Sequence, residues 1–124
     1  HPRLSKAIKL LSKAQESVAT GAMLMLTWSQ SGKLKHVDLH ANRYLEMMGA
    51  TTVAWLLLDA AIIAENAAKD VMEGHPDKHF YEGKVQSALF FANNNLPLIP
   101  AMVAMMQAED ESALAMDLEA FATI

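Results

Sequence analysis

Four of the five histidines in this chain come in pairs four residues apart, His36 with His40 and His75 with His79. On a helix that spacing places two imidazoles on one face, as zinc ligands on helices are placed. The zincin pattern also needs a glutamate beside the first histidine, and Val37 stands there. Pro76 keeps the second pair from sharing a regular helical turn. Both pairs therefore read as surface or capping histidines near two helix ends. A second group, Asp59 and Glu65 with Lys69 and Lys84, suggests buried acid–base chemistry. A carboxyl in an apolar segment is held neutral unless it is paired or hydrogen-bonded. None of these residues stands beside a nucleophile, so Asp59 reads as a buried pair or an interface position. Nine methionines, among them Met23/Met25, Met47/Met48 and Met102/Met105/Met106, have the softness of an adaptable binding groove. At helical spacing they read as core filler. There is no glycine-rich phosphate loop, Ser-His-Asp arrangement or dinucleotide fingerprint. No catalytic, cofactor-binding or metal-ligating residue is assigned.

The bulk composition narrows the classes further. The chain has 124 residues, 52% hydrophobic and 19% charged, which suits one folded domain and is too apolar for disorder. Ten basic against fourteen acidic residues leave a net charge of -4, so no basic face is on offer to nucleic acid. With no cysteine there is no disulfide framework, which fits a cytoplasmic setting. His1 rather than Met opens the chain, so a processed product or a piece of something longer is expected, and no signal peptide is evident.

The elements that position these residues are all helical. A first helix is expected over about residues 2–29, with Leu4, Ile8, Leu11, Gln15, Val18, Ala22 and Met25 on one stripe. Pro2 suits its first turn. The polar break at 29–33 predicts an antiparallel return. The second helix is expected from about 34–37 to about Glu73, with Val37, Ala41, Tyr44, Met48, Thr51 or Thr52, Trp55, Leu58 and Ile62 inward. Gly49 in its middle costs on the order of 1 kcal/mol and suggests a close approach by Trp28 or Trp55, or else a kink. Gly74-His75-Pro76-Asp77 ends that helix. A third starts near 77–80 with Asp77 as its cap, and turns Phe80, Lys84, Ser87 or Ala88, Phe91, Leu98, Met102 and Met105 to one side. Pro97 and Pro100 predict a bend or break within 94–100, where three asparagines can satisfy loosened carbonyls. A short amphipathic helix over 113–122 is expected last, with Leu114, Leu118 and Phe121 inward. The fold class is all-α, an up-and-down helical bundle of three long helices plus a short C-terminal helix.

Residues 44–66 are the stretch the others must accommodate. From Val53 to Ala64 the sequence is apolar on every side except at Asp59. A helix apolar all round must be covered on several sides, so it is a buried axis or it meets something outside this chain. Full burial of Trp55 predicts a loss of about 3–5 kcal/mol on truncation to alanine; a loss below roughly 1 kcal/mol would mean that it faces outward. The run is close to membrane-spanning length, but Asp59 near a span centre costs roughly 2.5–3.5 kcal/mol, which favours a helix buried among other helices over a membrane span.

One combination of these residues is specific. Tyr44-Leu45, Gly49, Trp55 and the alanine-rich 59–68, followed by Phe80-Tyr81-x-Gly83-Lys84-x-x-x-Ala88-x-Phe90-Phe91 and Leu96-Pro97, resembles the extra C-terminal helical domain of large bacterial acyl-CoA dehydrogenases. The likeness runs from about Leu4 to Phe121, and FYEGKVQSALFF is its specific part. The resemblance implies one helical domain over residues 1–124, the C-terminal part of a longer dehydrogenase. It implies a parent flavoenzyme in which a carboxylate takes the α-proton of an acyl-CoA thioester while FAD takes the β-hydride. The base and the flavin- and CoA-binding residues of that family lie in preceding domains, so no catalytic role passes to any residue here. What passes is a docking role, with the parent's catalytic domains as partner and a homo-oligomer expected. Tyr44, Gly49, Trp55, Asp59, Phe80, Tyr81, Lys84, Phe90 and Phe91 are the candidate docking or packing surface. The alternative is a free-standing helical interaction or oligomerisation module.

Overall fold

The computed structural model describes residues 1–122, and every regular element among them is helical. A 3-10 turn, Pro2–Leu4, runs into α1 (Ser5–Gln30). Gly32, at φ +81, reverses the chain in a three-residue link, and the Lys33 N–H donates to the Trp28 carbonyl at 2.8 Å. α2 (Leu34–Ala68) returns alongside; its 35 residues span about 50 Å. A link through Gly74, φ +84, leads to α3 (Pro76–Asn95). The cap of α3 is His75, whose Nδ1 accepts from the Asp77 N–H at 3.1 Å, rather than Asp77 itself. α4 (Leu98–Gln107) follows after Leu96 and Pro97.

The break at Pro97 is gentle. Leu96 and Pro97 both keep right-handed helical angles, so α4 continues the line of α3. Asn94 and Asn95 donate their side-chain amides to the Phe90 and Phe91 carbonyls at 2.8 and 3.0 Å, as the run of asparagines suggests, though one turn before the carbonyls that the prolines strand.

The core is built on a seven-residue repeat. Ala7, Ala14, Gly21 and Trp28 line α1; His40, Met47, Ala54 and Ala61 line α2; Val85, Ala92, Ile99 and Met106 run unbroken through α3 and α4, all of them buried. Such a repeat is the signature of helices crossing at a shallow left-handed angle. Seven of the seventeen buried hydrophobics among the described residues are alanine. Small side chains let the helices approach closely, and they moved the inward stripe off the large residues. Leu4, Leu11 and Leu58 are buried as expected, but elsewhere the inward face is displaced by about one residue, roughly 100°, from the expected stripe. Thus Ile8, Met48, Trp55, Phe80, Leu98 and Met105, expected inside, are exposed. Met47 and Met106 fill the core, whereas Met23, Met48, Met72, Met105 and Met116 do not.

Two further expectations change. A Cβ on Gly49 would meet nothing within 4 Å, so the close approach is elsewhere: a Cβ on Gly21 would stand 3.1 Å from the Tyr44 ring. α2 ends at Ala68 instead of Glu73. Beyond α4 the only regular element among the described residues is a 3-10 turn, Leu118–Phe121, and Leu114, Leu118 and Phe121 point to solvent. Glu109 sits in the left-handed region, φ +47, and turns the chain away from α4. Glu109 and Glu111 bond back to the α1–α2 end, and Asp110 accepts from Ser112, so the acidic run does not open a helix.

Candidate functional site

Two surfaces carry what this bundle offers. The first is the outer face of α2 with its α3 neighbour. Leu45, Leu56 and Ile63 lie on one line directly opposite the buried stripe and are 63%, 55% and 64% exposed. Trp55 flanks them at 54%. Asp59 is exposed one turn from Trp55 and Ile63, on the same side of the helix, so it is neither buried nor set for acid–base chemistry. In the groove between α2 and α3, Ile63, Phe80, Tyr81 and Lys84 shape a small cleft of about 210 Å³. Phe80 meets Tyr81 edge-on at 5.8 Å, and Lys84 Nζ stands 5.3 Å from the Phe80 ring centroid. Phe90 points out at 69%, while Phe91 packs against the core. Gly49 borders a second cleft of about 360 Å³ with Leu98 and Met102 of α4. Of the nine candidate surface residues, Tyr44 and Phe91 serve internal packing; the others face outward or, for Tyr81, sit half-buried at the groove.

The first turn is tied across this face by charge. Arg3 donates to both oxygens of Glu82 at 3.0 and 2.6 Å and pairs with Glu65 at 3.2 Å. The hydrogen bond from Arg3, then that from Gln86, holds the Glu82 carboxyl down to about 2. Glu65 is thus a tether, with His1 at 3.5 Å as well.

The second surface lies where the C-terminal segment crosses the α1–α2 end, and it was hidden in the sequence. His36 and His40 are buried, 3% and 4% exposed, and both rings lie against Trp28 with centroids 5.4 Å away. The Trp28 indole N–H donates to Glu109 at 2.7 Å, Lys33 reaches the same oxygen at 3.3 Å, and His36 Nε2 bonds Glu111 at 3.2 Å. Arg43 donates to His40 Nδ1. His36 Nδ1 and His40 Nε2 are buried without a partner. The seven-residue step from His40 to Met47 and Ala54 was the available signal, obscured because histidine and alanine do not read as core. Burial first, then the nearby Arg43 and His36 charges, pushes the His40 imidazole below its ordinary value. Hydrogen bonds from Trp28 and then Lys33 draw the Glu109 carboxyl down.

Among the described residues no group of three or more metal-ligating side chains converges. Nor do they fit a flavin dinucleotide: α2 and α4 open on leucine and α3 on proline, without a glycine-rich turn to cradle a pyrophosphate. The 35 residues of α2, and the 32 running from Pro76 to Gln107, are long and apolar enough to cross a membrane by length and composition alone.

The bundle buries alanines along its helix seams and leaves large apolar side chains such as Leu45, Trp55 and Ile63 on its surface. The chain belongs to the acetyl-CoA dehydrogenase C-terminal-like family, whose model matches residues 1–117. It is 34% identical to a broad-specificity linear acyl-CoA dehydrogenase of Mycobacterium tuberculosis, over 96% of this chain and 20% of that relative. It is 34% identical to a butyryl-CoA dehydrogenase of Syntrophomonas wolfei over 68% of this chain and 14% of the relative. A further butyryl-CoA dehydrogenase of that organism is 27% identical over 91% of this chain and 18% of the relative. The chain thus spans about a fifth or less of each of these curated relatives.

Proposed function

We propose that this chain is the accessory C-terminal domain of an FAD-dependent acyl-CoA dehydrogenase of the cytoplasm, docking on the catalytic body and supporting its dimer. The observation that carries the reading is the exposed apolar face: Leu45, Trp55, Leu56 and Ile63 are exposed along a helix that buries Ala54, Ala61 and Ala64 on its inner side. Contiguous apolar surface of this kind marks an interaction site on a soluble protein. Asp59 in its middle favours protein over lipid, because a protein partner can supply a donor where hydrocarbon cannot. The relatives have four-fifths or more of their length outside the matched region, which supplies a partner of the right size. In this reading the flavin, the acyl thioester and the base that removes the α-proton all belong to those other domains. The chain's own part is to cover and brace them.

Light scattering of the chain, alone and mixed with separately produced catalytic domains of its parent, tests this. A one-to-one complex with those domains is expected, and the chain alone should neither bind FAD nor oxidise acyl-CoA. The same stripe on α2 also suits a second copy of this chain. A stable homodimer that ignores the catalytic domains would replace docking with self-association.

A further inference from the structure

Residues 108–122 form a strap with no seat in the core; from Asp110 onward every residue in it is exposed. Side-chain hydrogen bonds join its root to the bundle, and each ends on a carboxylate: Trp28 and Lys33 on Glu109, His36 on Glu111. Glu109 holds a left-handed backbone, φ +47, which a non-glycine residue keeps only while its partners impose it.

The hydrogen bonds fix the tautomers beneath this root. Arginine can only donate, so His40 Nδ1 is an acceptor and its hydrogen is on Nε2. A carboxylate can only accept, so His36 Nε2 carries a hydrogen toward Glu111. The one site on His40 open to a further proton is Nδ1, the atom Arg43 already occupies. Adding it ends that bond and sets an imidazolium beside a guanidinium under Trp28.

We propose that the Trp28–His36–His40 stack is a proton-operated latch, which holds the strap down while His40 is neutral and frees it when His40 is protonated. The groups facing His40 decide where the cation goes. Its own helix offers Arg43 and His36, α1 offers Trp28 and α4 offers Met105. The strap brings Glu109, Asp110 and Glu111, and Asp110 borders the same cleft of about 330 Å³ as His40. A protonated ring therefore swings from beneath Trp28 toward Asp110. Trp28 loses its stacking support, its N–H lets go of Glu109, and Glu109 relaxes from its left-handed turn. Burial is the first cause that lowers His40 while the strap is closed, and opening removes that cause, although Arg43 and His36 stay beside it on α2. Protons hence favour the open form, and the ratio of open to closed rises as pH falls, by at most about tenfold per pH unit.

The latch does not depend on the docking reading. Trp55→Phe leaves Trp28 as the sole tryptophan, and its emission can be followed from about pH 8 to about pH 5, through the range in which imidazole titrates. Hydrogen exchange in 108–122, corrected for intrinsic rates, is measured alongside. Both should change together with a midpoint below 6.5, while far-UV helicity stays constant. His40→Phe keeps an aromatic ring on Trp28 but takes no proton, and should stay closed throughout. A flat Trp28 signal, a helicity loss at the same midpoint, or an unchanged transition in His40→Phe overturns the latch. Should that variant not fold, the imidazole of His40 is titrated by NMR in the Trp55→Phe chain. A midpoint at 6.5 or above, or one not matched by the strap, refutes it equally.

Discussion

Trp55 separates a core role from a docking role, because the two predict opposite results for one substitution. It is 54% exposed and belongs neither to the buried cluster nor to the residues packed on it. Trp55→Ala should therefore change the stability of the chain alone by less than about 1 kcal/mol, as surface substitutions do. Against a partner the arithmetic differs. An indole side chain offers up to about 250 Å² of surface, so roughly 135 Å² of Trp55 remains open to be covered. At about 25 cal/mol per Å² that area is worth about 3 kcal/mol. Loss of this contact should weaken docking to the catalytic domains roughly a hundredfold. Chemical denaturation of the isolated chain gives the first quantity and titration calorimetry against the catalytic domains the second. A stability loss of 3 kcal/mol or more, the order expected for a fully buried tryptophan, would place Trp55 in a core that the structure does not show. Unaltered affinity would remove it from the docking surface.

Three further outcomes follow from particular contacts. Gly21→Val should lose about 1–3 kcal/mol against the Tyr44 ring, whereas Gly49→Ala, with open space around it, should gain up to about 1 kcal/mol; thermal melts of the pair decide both signs. Ala88→Leu should destabilise by about 1–3 kcal/mol by overfilling a fully buried seam, while Phe90→Lys should stay within about 0.5 kcal/mol, and the reverse order would undo the assignment of buried and exposed faces. The Glu82 carboxyl is held at about 2, below its ordinary 4.5, so the Arg3 pair contributes above 4.5 and its contribution fades as pH falls toward 2. Because Glu82 is about half exposed, Glu82→Gln should cost under about 1 kcal/mol near neutrality, and a cost that persists undiminished at acid pH would assign it to something other than charge.

The sequence by itself determined the three long helical runs, the short reversals at Gly32 and Gly74, the interruption at Pro97 and the family, but not the end of the chain, where a 3-10 turn stands in place of the expected helix. Each of these is written locally, in residues that terminate helices or in a motif such as FYEGKVQSALFF. It also posed the right question about residues 44–66, which are too apolar for one partner. Which way the helices face was decided only by tertiary packing. Periodicity read from large apolar side chains assumes that size marks the inside. Here the close approach of α1 to α2 and α2 to α3 is made by Ala7, Ala14, Gly21, Ala54, Ala61 and Ala88, so the stripe turns by one residue and Trp55 turns out. The same rotation draws His36 and His40 beneath Trp28, 8 and 12 residues further along the chain. No local pattern distinguishes them from a surface pair, because what buries them is a segment that returns from beyond α4, at Glu109 and Glu111.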